Sequence, residues 1–183
     1  MTLNLDLKFL PVNSFPTKPT DSENIYGKIC RDGTLALSQD MAVTMKDTNA
    51  ADLTIKCDGK DFRAHKFMLT SRSSVLAAMF SHKGTKECET GEVNVTDCER
   101  DIMEMFLAYI YTGILPEATF EVAEKLVNMA VKYDIKPLIT ACTEILAAHL
   151  DEDNAIRVVI LCAGHPHHSK EAFEKHERME GFG

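Results

Sequence analysis

Hydrophobic and polar residues alternate strictly along residues 2–9, near the start of the chain. Every second position is apolar and the intervening positions are polar: Leu3, Leu5, Leu7 and Phe9 against Asn4, Asp6 and Lys8. A period of two residues predicts a half-buried strand. Pro11, Pro16 and Pro19 follow among small polar residues, which is typical of a linker. Residues 1–31 are therefore expected to hold a strand and a linker.

A second alternation, around residues 53–64, predicts a β-hairpin. Its apolar positions are Leu53, Ile55 and Cys57 before the turn and Phe62 and Ala64 after it. The turn itself reads Asp58-Gly59. Asp-Gly between alternating runs favours a tight hairpin, because both central residues tolerate a positive φ. A further short strand is expected at Glu92–Val95.

Elsewhere the apolar residues recur with helical spacing. Leu37, Met41 and Met45 lie four residues apart, which predicts one apolar stripe on a helix that ends near Asp47. Short helices are expected over 66–80, and a polar loop over 81–91. Four more helices are expected, and these residues mark them: Thr96 and Glu99 with capping-box spacing, Gly113 as a C-terminal cap, Thr119 and Pro137 at helix starts, and Asn154 before the last helix. The fold class is α+β, a small mixed sheet with a cluster of helices.

Composition limits the classes of function. The chain has 183 residues, 45% of them hydrophobic, which suits one globular domain with some decoration. A formal net charge of −8 argues against a nucleic-acid surface, which needs clustered Lys and Arg. No apolar run reaches bilayer length, so we expect no membrane span. The first residues carry Asp6 and no basic flank, unlike a secretory signal. We therefore expect a cytoplasmic or nuclear location, or both.

The cysteines form no Cys-x-x-Cys pair, and several lie in apolar periodic segments. We expect reduced thiols that pack mostly as small hydrophobic residues, with a disulfide framework as the alternative. The six positions are Cys30, Cys57, Cys88, Cys98, Cys142 and Cys162.

The sequence carries no motif that is specific for catalysis. It has no Gly-rich phosphate loop, no Gly-x-Ser-x-Gly and no His-Glu-x-x-His. His165, His167 and His168 lie near Cys162, which superficially suggests a metal site. A tetrahedral zinc site needs a second ligand pair, so a solvated turn at Pro166 is the preferred interpretation. We expect no enzyme activity, no metal and no cofactor.

Several segments resemble, in order, those of a BTB/POZ domain. That family has a strand that begins with Asp, a hairpin, His-Lys-x-x-Leu and a later Tyr-Ile-Tyr-Thr-Gly. The matching segments are Ala51–Ile55, Phe62–Leu69, Ser71–Phe80, Phe106–Gly113 and Ala130–Leu138. The resemblance implies a BTB fold over residues 32–150 that serves protein–protein interaction.

Within this family, the chain looks most like the speckle-type POZ proteins and the nematode MATH-BTB proteins. Asn154–Ala163 resembles the helix pair that follows their BTB fold, so residues 151–183 are expected to form such a pair. No MATH domain is visible. The strand at residues 3–9 is either a remnant of one or a swapped strand like those of some BTB dimers. Substrates would bind a recognition domain that is missing or separate.

The resemblance also implies a homodimer and a partner, the N-terminal domain of cullin-3. The implied dimer interface comprises Leu35, Leu37, Met41 and Met45, with Asp52 in a charged pocket beside it; packing of the stripe within one chain is the alternative. The implied cullin contacts are Phe80, His82, Thr85, Lys86, Glu87, Tyr133, Ile160 and Leu161.

In the family's hydrophobic-x-Glu motif, the place of the large apolar residue is taken here by Thr85. The expected function is a dimeric adaptor that binds cullin-3 and recruits substrates for ubiquitination. The alternative is a module for self-association or corepressor binding without cullin.

Overall fold

The structure is a computed structural model that describes residues 25–82, 84–151, 154, 157, 158 and 161. The strand expected at residues 3–9 and the charged C-terminal segment lie outside these residues. The elements in chain order are α1 (Ile25–Lys46), β1 (Leu53–Cys57), β2 (Lys60–Ala64), α2 (Lys66–Arg72), α3 (Ser74–Ser81), α4 (Lys86–Thr90), β3 (Glu92–Val95), α5 (Arg100–Thr112), α6 (Phe120–Lys132) and α7 (Lys136–Ala148).

The three strands form one mixed sheet in the order β2-β1-β3. β1 and β2 are antiparallel and are joined at Asp58 and Gly59, which have φ angles of 47° and 71°. β3 lies parallel to β1. Ile55 is paired with Phe62 on one side and with Val93 on the other, and all three side chains are buried. One face of the sheet is therefore apolar, as the alternation predicts.

The apolar face of the sheet packs against α5, which passes through the centre of the core. Ile55, Val93 and the α5 residue Phe106 line the same internal cavity of about 10 Å³. Leu107 and Ile110 of α5 are 2% and 0% exposed. Helices α1, α2 and α6 contact α5, and α7 packs against α6. The α+β fold class is confirmed.

Three predicted helix ends are confirmed. Gly113 caps α5 with a φ of 69°, and its N–H donates to the carbonyl of Tyr109. The Thr119 side chain caps α6 by accepting a hydrogen bond from the N–H of Val122. Pro137 lies in the first turn of α7. Each of these signals is local, because it depends on backbone groups within one turn of the helix end.

Three local predictions were wrong. Helix α5 begins at Arg100, and its N-cap Glu99 makes no side-chain capping bond, so Thr96 and Glu99 do not form the expected capping box. The 81–91 segment contains the short helix α4. Helix α1 begins at Ile25, inside the segment 1–31 that was expected to be strand and linker.

Candidate interaction surfaces

Helix α1 turns one side toward the core. Ser38 is 8% exposed, and its hydroxyl donates to the carbonyl of Thr112 at 2.5 Å. Met41 and Met45 pack against the core cluster. Leu37 belongs to the same predicted stripe but is 60% exposed. Each step of four residues turns the helix by about 40°, so a stripe with this spacing winds away from a fixed contact.

The structure therefore divides the predicted dimer-interface residues into two groups. Met41 and Met45 are partly buried against the core of their own chain. Leu35 and Leu37 are 52% and 60% exposed. The second group is the more accessible to another molecule.

Further apolar residues of α1 point outward and were missed from the sequence. Ile25 is 66% exposed, Ile29 is 59% exposed and Val43 is 70% exposed. Their separations of four and fourteen residues return to nearly the same side of a helix, so the sequence held a signal for them. That signal was hidden because residues before 32 were assigned to a linker. We call Ile25, Ile29, Leu35, Leu37 and Val43 the outer face of α1; at about 100° per residue, Leu35 and Leu37 lie at its two opposite margins.

Another highly exposed apolar side chain lies on α2, which also packs against α5. Phe67, in the first turn of α2, is 76% exposed. The N–H of Lys66 donates to the Asp52 carboxylate at 2.7 Å, so Asp52 satisfies a free donor at the start of α2. Asp52 is exposed in the single chain. Its observed role is to hold the helix turn that carries Phe67.

The segment expected to bind cullin is organised by Thr85. The Thr85 hydroxyl caps α4 by accepting from the N–H of Cys88 at 3.3 Å. The same hydroxyl lies 3.0 Å from the carbonyl of His82 and 3.2 Å from that of Met79. His82 and Lys86 are exposed, and Glu87 is partly exposed in the first turn of α4. Thr85 therefore shapes this segment from within.

Phe80 and Tyr133, both expected at the cullin surface, differ in burial. Phe80 is partly buried, and the Lys66 ammonium lies 5.2 Å from its ring centre. Tyr133 is 4% exposed and packs against Phe106 with ring centres 5.4 Å apart. Burial raises the pKa of Tyr133 to about 12. The side chain of Tyr133 is a core group, because the end of α6 turns it inward, and we correct its assignment as a surface contact.

The segment after α7 is attached to the domain at several points. Asn154 and Asp151 bond reciprocally, each side chain accepting from the other's N–H, and the Asn154 amide also donates to the carbonyl of His149. Val158 is 2% exposed within the core. Arg157 forms a two-bond ion pair with Glu124 of α6. The expected contact Leu161 is partly buried against the same core. Ile160 lies outside the described residues.

The described residues show few of the features of a reactive site. Within them, no group of His, Cys, Asp and Glu side chains is arranged to hold a metal ion, and no helix is long and apolar enough to cross a membrane. The cluster of His165, His167, His168 and Cys162 lies outside the described residues. Burial raises the pKa of Cys142 and of Cys98 to about 12, so little of either thiol is ionised at neutral pH.

A protein-family model for the BTB/POZ domain matches residues 42–150, more than half of the chain. The chain belongs to the BTB/POZ family. Among solved structures, the BTB domain of human Gigaxonin is similar with a TM-score of 0.52 and 15% identity, covering 71% of this chain and 98% of that one. The BTB domain of zebrafish PATZ1 has a TM-score of 0.50 and 18% identity, covering 72% and 97%. At these identities the structures show a shared fold.

Membership in the BTB family establishes a role in protein–protein interaction. BTB domains are generally interaction modules rather than enzymes, and they typically form homodimers. The exposed apolar residues on α1 and α2 are consistent with that role, because large apolar patches on a protein surface commonly mark contact sites.

Proposed function

We propose that this BTB domain forms a homodimer through the outer face of α1 together with Phe67. The observation that carries the proposal is that these six large apolar side chains are each between 52% and 76% exposed. The other exposed large apolar residues of the described part of the chain, Val75, Ile114 and Leu150, are only 36–48% exposed, so the most exposed side chains lie on two helices. A two-fold dimer buries the same patch on both copies.

The size of the patch suits a stable dimer. Full burial of an Ile, Leu, Val or Phe side chain contributes about 1.5–3 kcal/mol, and such residues are contributed by both copies. Association costs roughly 4–15 kcal/mol in lost translational and rotational freedom. Because about 60% of each side chain is exposed, full coverage of six residues from each copy would contribute roughly 11–23 kcal/mol, so most of this surface must be buried to offset the cost. The net charge of −8 on each copy opposes association at low salt, so moderate salt should strengthen the dimer.

We further propose that the dimer is an adaptor, in the cytoplasm or nucleus, for the N-terminal domain of cullin-3. The support is the sequence resemblance together with the exposure of His82 and Lys86 and the partial exposure of Glu87 after α3, with Phe80 partly buried at the end of that helix. The resemblance adds Leu161 and Ile160 to the proposed cullin contacts. Substrates for ubiquitination would bind a separate recognition domain.

A self-association or corepressor-binding module without cullin contact is the second candidate. The Thr85 side chain favours it. The family motif supplies a large apolar side chain at this place, whereas the Thr85 hydroxyl is occupied by capping α4. The surface therefore lacks an apolar group that would otherwise enter a pocket of the partner.

The dimer is tested by light scattering after gel filtration over a range of concentrations. Leu37→Asp with Val43→Asp places charges in the apolar patch and should convert the dimer to a monomer. A matched control, Asn128→Asp with Thr140→Asp, adds the same charge at exposed positions of α6 and α7 and should leave the dimer intact. A wild-type protein that stays monomeric at hundreds of micromolar would contradict the proposal.

Cullin binding is tested by calorimetry with the cullin-3 N-terminal domain. Glu87→Lys should weaken binding at least tenfold, because it reverses a charge in the proposed contact. Glu89→Lys makes the same change in the same helix turn at an exposed position outside the proposed contact, and it should bind like the wild type. If a folded wild-type dimer shows no heat of binding, the adaptor proposal fails and the self-association module remains.

A further inference from the structure

Two cysteines lie against each other where β1 meets the start of α5. Cys57 is the last residue of β1 and is paired in register with Val95 of β3. Cys98 follows three residues after Val95, and the Cys57 thiol donates to the carbonyl oxygen of Cys98 at 3.1 Å. This contact brings the Cys57 thiol to the backbone of Cys98, and a disulfide needs the two Cα atoms within about 7 Å of each other.

Only one of the two thiols is accessible to a small molecule. Cys57 is 2% exposed, whereas Cys98 is partly exposed and lines an open cleft of about 440 Å³. Ile102 and Met129 form apolar parts of the cleft. Ion pairs join the walls, with Lys132 2.7 Å from Asp97 and Lys125 2.6 Å from Glu99. A small solute can therefore reach Cys98 from solvent, while Cys57 lies behind it.

We propose that Cys98 and Cys57 are a redox-modification site, at which Cys98 reacts with a low-molecular-weight disulfide of the glutathione type and Cys57 then closes a protein disulfide. In the first step the Cys98 thiolate attacks one sulfur of the small disulfide and releases one thiol. In the second step the Cys57 thiolate attacks Cys98 and releases the other thiol. Two protein thiols are oxidised and one small disulfide is reduced to two thiols, so electrons and protons balance.

The surroundings of the two thiols make disulfide exchange at this site slow. Burial raises the pKa of both thiols, so little thiolate is present at neutral pH and exchange is slow. The reaction should accelerate as pH rises, because the thiolate is the attacking species. Once formed, the bond would tie the end of β1 to the start of α5, which are 41 residues apart in sequence.

The site can be tested by mass spectrometry of the full chain. The protein carries Cys30→Ser, which removes a thiol exposed on α1. It is incubated with oxidised glutathione, quenched by alkylation and mapped as peptides without reduction. The expected product contains a Cys57–Cys98 link that lacks two thiol hydrogens, and the protein loses two alkylatable thiols. The yield after a fixed time should rise roughly tenfold per pH unit between pH 7 and 9.

Single substitutions separate the two steps. Cys57→Ser should trap glutathione on Cys98, because the resolving thiol is gone. Cys98→Ser should leave Cys57 unmodified, and Cys142→Ser should still form the bridge, since Cys142 is fully buried in the α7 core. Circular dichroism checks that each variant is folded. The proposal is overturned if the wild type keeps glutathione on Cys98 without bridging, if Cys98 stays unmodified, or if Cys57 takes up glutathione in the absence of Cys98.

Discussion

The hydroxyl of Ser73 connects two helices that are far apart in sequence, and its removal is expected to destabilise the domain. Ser73 is 1% exposed. Its oxygen accepts a hydrogen bond from the N–H of Leu76 at 3.1 Å, which caps α3. The same hydroxyl donates to the carbonyl of Tyr133 at 2.6 Å, at the end of α6. Ser73→Ala removes both bonds and leaves a buried carbonyl without this donor.

The magnitude follows from these two losses. Loss of an N-cap side chain costs about 1 kcal/mol. A buried carbonyl left without its donor costs about 1–3 kcal/mol more. We therefore expect Ser73→Ala to lower the free energy of unfolding by about 2–4 kcal/mol. That loss is a large fraction of the total stability of a domain of this size, which is roughly 5–15 kcal/mol.

The assay is urea denaturation followed by circular dichroism, at one fixed protein concentration because a dimer gains stability with concentration. Thr119→Ala is the matched control, since Thr119 also caps a helix but is exposed, and among the described residues its hydroxyl bonds only to the first turn of that helix. It should cost only about 1 kcal/mol. Equal losses for the two variants would refute the claim that the Ser73–Tyr133 bond adds to the cap.

Three further outcomes are expected, each measured by denaturation. Gly91→Ala should lower the free energy of unfolding by about 1–2 kcal/mol, because φ is +64° and the new Cβ would lie 3.2 Å from the carbonyl oxygen of Asp52. Gly59→Ala should cost less, because Gly59 also has a positive φ, +71°, but a Cβ there would meet open space. A larger loss for Gly59→Ala than for Gly91→Ala would contradict this explanation. Hydrogen bonding to Lys132 holds the pKa of Asp97 below its ordinary value. The stabilisation of the fold by the Asp97–Lys132 pair is therefore complete above about pH 4, and it is lost as the pH falls through the lowered pKa of Asp97 in the folded state. Asp97→Asn should abolish this pH-dependent contribution to the free energy of unfolding, and it should cost at most about 1 kcal/mol at neutral pH because the pair is exposed. If stability falls with decreasing pH in the variant as it does in the wild type, the pair does not contribute. Val158→Ala should cost about 2 kcal/mol if the segment beyond residue 150 belongs to the folding unit, and no loss would show that it does not.

Much of the candidate interaction surface could be named from the sequence, but its exposure could not. The sequence identified Leu35, Leu37 and the segment around Thr85. It did not identify Ile25, Ile29 or Phe67. A resemblance transfers positions from other proteins, whereas exposure depends on how far each side chain turns away from its own core.

Local signals were sufficient for most of the secondary structure. Alternation at Leu53, Ile55 and Cys57, the Asp58-Gly59 turn and the caps at Gly113 and Thr119 each act within a few residues, so the chain specifies them before it folds. The α+β class follows from the order of these elements.

Tertiary structure alone decided which apolar residues are core and which are surface. Leu37 and Met41 have the same spacing signal, yet one points to solvent and the other packs inside. Tyr133 is buried because α5 supplies Phe106 beside it, a contact between residues distant in sequence. Periodicity records that a helix has an apolar side, but only the packing of neighbouring helices determines whether that side meets its own chain or remains exposed for another, because burial is a property of the assembled core.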